Sequence, residues 1–187
     1  RKLMAKGPRY NVPMRRRREG ITNYHQRLPL LKSGTSRMVV RISNKYISVQ
    51  LINLGSIGDE TVVSVSSKDL LSYGWKAPLN NLPSSYLTGF LLGKKALSIG
   101  IKEAVLDIGL HSGTKGSKTF AAHKGAIDAG LDVPHSEVAF GSWERIRGEH
   151  IAEFAEKTNN KLSNDFDLTT LPTHFDEILE SLKEESP

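Results

Sequence analysis

Apolar positions change their spacing along this chain, and each spacing predicts a different kind of element. From residue 37 the period is two: Arg37-Met-Val-Val-Arg-Ile-Ser43 is rich in β-branched residues, and beyond Asn44-Lys45 the residues Ile47, Val49 and Leu51 alternate with Tyr46, Ser48 and Gln50, as in a half-buried strand. Strands over 37–43 and 46–53 form a tight hairpin, and Thr61 to Ser67, beyond Gly55, Gly58 and Asp59, completes an antiparallel meander. The period then becomes helical. Leu87, Phe90, Leu91 and Ala96, with a basic edge at Lys94, predict a helix from Ser84 as its cap to Leu97, closed by Gly100. Glu103 to Gly109 reads as a buried strand and Lys118 to Ala129 as a helix ending at Gly130. Trp143 to Lys157 reads as a polar helix broken at Asn159-Asn160, and Thr173 to Glu184 as a helix with Phe175, Ile178, Leu179 and Leu182 on one face. Strands alternating with helices after a meander imply an α/β (α+β) domain, a mixed sheet covered by helices.

The first 34 residues have no such pattern. Gly7, Pro8, Pro13, Gly20 and Pro29 interrupt any long element, although 21–31 has room for a short helix, so this stretch reads as an extended arm. Charge gives the arm a meaning. Residues 1–45 hold thirteen Lys and Arg against one acidic residue, Glu19, a net of +12, while the other 142 residues carry thirteen basic and nineteen acidic, a net of −6. Like charge concentrated in one segment opposes compaction and calls for a polyanionic partner. Arg15, Arg16, Arg17 and Arg18 are the sharpest part, because a planar guanidinium forks onto phosphate and stacks on bases. The cations continue through Arg27, Lys32, Arg37, Arg41 and Lys45, interleaved with Tyr10, Tyr24, His25 and Tyr46, a combination suited to unpaired RNA bases. Arg37 and Arg41, four apart on a strand, share a face. Residues 149–187 hold ten acidic and three basic residues, a net of −7. The chain thus divides into a basic arm (1–34), a globular domain (35–140) and an acidic helical extension (141–187), the last assigned to protein contact or solvent. Met4 reads as a natural start, and Arg1, Lys2 and Leu3 are set aside.

Several chemistries lose support. There is no Cys for a disulfide, a thiolate zinc site or a thiol nucleophile. No apolar run reaches the roughly 20 residues of a membrane span, and residues 1–30 contain no signal-type hydrophobic block, so a soluble, intracellular protein without membrane contact is expected. The loop Gly109 to Thr119 follows a strand and precedes a helix, as a P-loop does, yet Ser112 and Ser117 stand where that motif needs glycine. Its lysines Lys115, Lys118 and Lys124 either grip RNA phosphate at the helix N-terminus or belong to a flexible surface loop. His111, His123 and His135 lie twelve apart on different elements, and Asp107 and Asp128 alone make no two-metal site. Neither an enzyme nor a cofactor or metal is expected.

Gly7-Pro-Arg-Tyr10, Met14-Arg-Arg-Arg-Arg-Glu19, Tyr24-His-Gln-Arg-Leu28, Ser43-Asn-Lys-Tyr-Ile47 with Gln50, Tyr73-Gly-Trp75, Ala104 to Gly109, Gly125 to Leu131, Pro134-His135 and Arg147-Gly-x-His-Ile151 together resemble the archaeal form of large-subunit ribosomal protein eighteen, relative of the eukaryotic 5S-binding ribosomal protein five. The order and spacing of these segments carry the resemblance across nearly the whole chain. It implies a non-catalytic, cytoplasmic constituent of the large ribosomal subunit that binds 5S rRNA and anchors it to 23S rRNA in the central protuberance, beside ribosomal protein five of the large subunit. The implied RNA contacts are Arg9, Arg15, Arg16, Arg17, Arg18, Tyr24, His25 and Arg27 of the arm, then Arg37, Arg41, Ser43, Asn44, Lys45, Tyr46 and Gln50; Lys32 of the arm and Lys115 and Lys118 of the loop join the candidate RNA-binding set on charge alone. The arm is expected to order on RNA. A non-ribosomal RNA-binding or RNA-chaperone protein is the alternative.

Overall fold

The structure is a computed structural model that describes residues 7–158 and 166–184. The expected start at Met4 and the expected break at Asn159-Asn160 lie outside them. Strands β1 (Ser36–Ile42), β2 (Ile47–Leu54), β3 (Asp59–Ser66) and β4 (Ala104–Asp107) make one sheet in the order β3-β2-β1-β4. The meander is antiparallel, and β4 runs parallel to β1, giving the mixed sheet that the pattern predicts. Register sorts the two faces. Met38 stands beside Leu51 and Val40 beside Val49, while Leu51 and Val49 meet Val63 and Val65; all six are buried on one face. Arg37, Arg41, Ser48, Gln50 and Ser64 therefore occupy the other, as expected of a sheet with one packed and one polar face. Because Val39 is level with Asp107, the carboxylate at the end of β4 falls between Arg37 and Arg41 on that polar face.

Helix α3 (Leu82–Ser98) lies across the apolar face and is buried along most of its length. Its cap is Asn81, one turn earlier than the expected Ser84. The Asn81 side chain accepts from the Ser84 backbone N–H at 2.8 Å and Ser84 Oγ accepts from that of Asn81 at 3.1 Å, so Ser84 closes the box from its third position and Pro83 fits the first turn. Helix α4 (Lys118–Asp128) packs on α3 with almost no side chain between them: a Cβ on Gly89 would stand 1.9 Å from the Ala122 carbonyl oxygen, and one on Gly125 2.1 Å from that of Tyr86. Glycine at both positions brings the backbones together. Tyr86 donates to Asp128 Oδ2 at 2.7 Å, and burial, then that carboxylate, raises its pKa. On α4, His123 is 2% exposed with neither ring nitrogen hydrogen-bonded, among His135, Phe140 and Phe120. Burial first, and the neighbouring His135 second, lower its pKa to about 4.

The expected helix over 143–157 is two helices, α5 (Trp143–Arg147) and α6 (Glu149–Thr158), because Gly148 takes φ 89°. A Cβ there would also meet Leu171 Cδ2 at 2.8 Å and Pro83 Cγ at 2.9 Å. Helix α7 (Leu171–Glu184) presents the predicted stripe, with Phe175, Ile178, Leu179 and Leu182 in the same core as the sheet. Phe175 meets Tyr86 and Trp143 at 5.6 and 5.9 Å between ring centroids. The basic edge of α3 has a use here: Lys94 Nζ donates to the carbonyls of Leu182 and Lys183 at the C-terminal end of α7, where a cation also offsets the helix dipole.

The short helix for which 21–31 has room is present in the arm, and a single helical turn precedes it. The arm thus forms α1 (Arg15–Arg18) and α2 (Tyr24–Lys32), the second capped by Asn23, whose side chain accepts from the His25 and Gln26 backbone N–H groups. Neither helix buries a residue.

Candidate nucleic-acid interface

Helix α2 is tied to the polar face of the sheet through a chain of alternating charges. Arg27 Nη2 meets Asp59 Oδ2 at 2.7 Å, Asp59 Oδ1 meets Arg37 Nη2 at 2.8 Å, Arg37 Nη1 meets Asp107 Oδ2 at 3.2 Å, and Asp107 Oδ1 meets Arg41 Nη2 at 3.4 Å. Partial burial of Asp59 works against ionisation, but the Arg37 hydrogen bond and charge, with those of Arg27, outweigh it and hold its carboxyl below the ordinary value. Asp107 also accepts from the Gly109 backbone N–H at 2.8 Å, which fixes the loop after β4. This changes the expected role of Arg37. Its side chain is 3% exposed and faces two carboxylates, so it is committed within the protein rather than displayed at the surface. Arg41, at 45%, stays accessible.

A second group assembles at the hairpin turn. Ser43 Oγ donates to the Tyr46 carbonyl and accepts from its N–H, while Asn80 Nδ2 donates to the Ser43 and Asn44 carbonyls, both at 2.9 Å. Lys118 Nζ in turn donates to Asn80 Oδ1 at 2.8 Å. The turn residues Ser43, Asn44, Lys45 and Tyr46 are thus locked beside the N-terminus of α4, and Lys68 Nζ sits 4.3 Å above the Tyr46 ring. Gln50, on the polar face, donates to Ser64 Oγ at 3.1 Å.

Other predicted residues stand apart. Arg9, Lys32, His25 and Lys115 are exposed, as are all four of Arg15–Arg18. Arg15 pairs with Glu19 at 2.9 Å and Arg16 Nε donates to Thr22 Oγ1 at 2.8 Å, whereas Arg17 and Arg18 make no side-chain bond among the described residues. Tyr24 is half-buried on α2. Asp59 and Asn80 are neither cations nor aromatics, and Lys68 lies outside the run of cations that ends at Lys45. Sequence does not tell which cation an acidic or amide group faces, and only the strand register shows that Asp107 lies between two arginines.

The alternative chemistries find no geometry. Asp107 is committed to arginines and Asp128 to Tyr86; among the described residues no group of three acidic, His or Cys side chains is placed to hold a metal. His111 lines the groove beside α2, away from the buried His123 and its exposed neighbour His135.

Comparison with known proteins decides among the nucleic-acid readings. Residues 8–101 and 100–136 match the family described as ribosomal large subunit proteins 60S L5, and 50S L18. The chain belongs to this family. It is 60% identical to the large ribosomal subunit protein uL18 of Halobacterium salinarum over 97% of this chain and 100% of that protein, and 58% identical to the uL18 proteins of Haloferax mediterranei (97% and 100%) and Haloarcula marismortui (96% and 96%). Family membership makes the chain a structural constituent of the large subunit of the cytoplasmic ribosome, of archaeal type, rather than an enzyme. No helix among the described residues is long and apolar enough to cross a membrane.

Proposed function

We propose that this ribosomal constituent binds 5S rRNA and anchors it to 23S rRNA in the central protuberance, next to ribosomal protein five of the large subunit. One observation carries the reading: the exposed Arg15–Arg18 cluster leads into a helix that the Arg27–Asp59–Arg37–Asp107–Arg41 chain fastens to the polar face of the sheet. Arm and sheet thus present their cations on one platform. Guanidinium groups of the arm fork onto phosphates and set the register; Tyr24, His25 and Tyr46 meet bases or sugars; Lys45, Lys115 and Lys118 extend the contact toward α4. The acidic face of the 141–187 extension, repelled by RNA, is left for neighbouring proteins.

The test is competition filter binding of labelled 5S rRNA, with Mg²⁺ at about 150 mM salt, against excess transfer RNA and duplex DNA. Retention of 5S rRNA against both competitors is the expected result. Equal competition by all three would reduce the protein to a non-specific nucleic-acid binder, the behaviour of an RNA chaperone. Neutralising six to ten phosphates also predicts an affinity loss of about 10³- to 10⁵-fold between roughly 50 and 200 mM salt.

A further inference from the structure

We propose that the groove between the arm and the end of the sheet receives one unstacked base of the bound RNA, and that the guanidinium of Arg41 is the surface on which it stacks. The inference rests on the RNA-binding reading above and gives one part of that interface a distinct task.

An arginine at an RNA surface acts through the edge of its guanidinium, by forking onto phosphate, or through its face, by stacking on a base. Three of the five N–H donors of Arg41 are already committed to the protein. Nη1 donates to the Val40 carbonyl at 2.8 Å and the Asp107 carbonyl at 3.0 Å, and Nη2 to Asp107 Oδ1 at 3.4 Å. The Nη1 end is therefore turned inward, which restrains the plane and leaves only Nε and one Nη2 hydrogen for an anion. One face is covered by Gly109: a Cβ built there would stand 2.9 Å from Cζ and 3.0 Å from both Nη atoms, a near-equidistance that puts it over the centre of the guanidinium. Gly109 has φ 63°, so both its backbone conformation and the seat of the guanidinium require the missing side chain. With the side chain still 45% exposed, the opposite face is open.

That face looks into a groove of about 360 Å³, at the small end of the roughly 300–1,000 Å³ typical of ligand sites. Ile21 and Leu110 line it although 49% and 60% exposed; apolar side chains beside a fixed cationic plane suit a flat aromatic ring. Gln26 and His111, both exposed and without a side-chain bond among the described residues, offer donors and acceptors for a base edge. Asp107 also lines the groove. A carboxylate there repels a phosphate but not a neutral base, and Arg16, held by Thr22 at the rim, takes the phosphate instead.

Ultraviolet crosslinking of the full chain to 5S rRNA, and separately to 23S rRNA, followed by peptide mapping, tests this. The expected result is a single nucleotide joined to a peptide containing residues 21–26 or 108–111. R41K keeps the charge and removes the plane; it should lower affinity by about 5- to 100-fold, the worth of one stacked base, abolish that crosslink and leave the salt slope unchanged. Gln26→Ala combined with His111→Ala, at two exposed positions, should weaken the crosslink in a fully folded protein and carries the test alone if R41K does not fold. Wild-type affinity and crosslink in R41K, or crosslinks confined to Tyr24 and Tyr46, would overturn the base site while leaving the interface. Failure of the unmodified protein to retain either RNA would overturn the interface itself, and the base site with it.

Discussion

Helices α2 and α7 stand near opposite ends of the described chain and join the fold by opposite means. Helix α7 sends Phe175, Ile178, Leu179 and Leu182 into the core, none more than 6% exposed. Helix α2 buries nothing and is held by the Arg27–Asp59 ion pair at 2.7 Å. Apolar attachment is not screened by salt, whereas a partly exposed ion pair is worth about 1 kcal/mol or less and weakens as ionic strength rises. An acidic helix can thus be structural while a basic one remains available. Net charge located the two ends; burial distinguishes their roles.

The largest effect should come from the apolar attachment. Phe175→Ala empties a ring site packed against Tyr86 and Trp143 and should cost about 3–5 kcal/mol, read as a lower urea midpoint at unchanged slope. Leu28→Ala on α2, 53% exposed, should stay within about 0.5 kcal/mol. Equal losses at the two positions would erase the contrast.

Acid separates the regions next. The pKa of His123 is about 4 when folded against an ordinary 6.5, so as pH falls the unfolded chain takes up the proton first. Stability is full above pH 6.5 and declines down to about pH 4, by roughly 3 kcal/mol. Asp59 is shifted in the same direction but acts in a lower window: its depressed pKa contributes stability above the ordinary 3.8, lost as pH falls through its lower folded value. Between pH 6.5 and 4 the core should weaken while the arm's tie remains. Urea unfolding across this range should show a decline in the wild type that His123→Leu reduces, leaving the part due to His150, whose partial burial also lowers its pKa; parallel declines would mean that His123 is not the main titrating group.

Replacing Arg15, Arg16, Arg17 and Arg18 together by Ala should leave the thermal midpoint unchanged, since their helix buries nothing. The slope of log affinity for RNA against log salt should become shallower by about 3, at roughly 0.7 per phosphate for single strands. A lowered midpoint would mean that the cluster supports the fold.

Much of this division can be read from residue order alone. Period-two alternation at Ile47, Val49 and Leu51 places the sheet, and helical spacing at Phe175, Ile178, Leu179 and Leu182 places α7, because burial on one face imposes a period. The break at Gly148 and the shift of the α3 cap from Ser84 to Asn81 escape such reading, since they depend on what packs alongside: Leu171 and Pro83 against the glycine, Pro83 in the first helical turn. In the interface, the exposed cations are legible as charge. The burial of Arg37 is not. A strand arginine looks the same in sequence whether it faces phosphate or a carboxylate seventy residues away.

Asp59 gives the smallest effect and the most pointed test of the comparison, because two arguments predict opposite signs. A carboxylate on a surface that meets RNA repels phosphate, so its removal by Asp59→Asn should, on charge alone, tighten binding and raise the rate of association. If instead the ion pair with Arg27 is what holds α2 to the sheet, losing it frees the arm, and the ordering of the freed segment must then be supplied on binding, which weakens affinity by a few-fold. Asp107 still faces Arg37 at 3.2 Å in the variant, so that buried guanidinium keeps one partner and the fold should hold. The expected outcome is weaker 5S rRNA binding together with faster tryptic cleavage after Arg27 and Lys32 in the free protein. Tighter binding with unchanged cleavage would mean that α2 is held by contacts other than its ion pair, and that the arm belongs with α7 as a packed part of the fold.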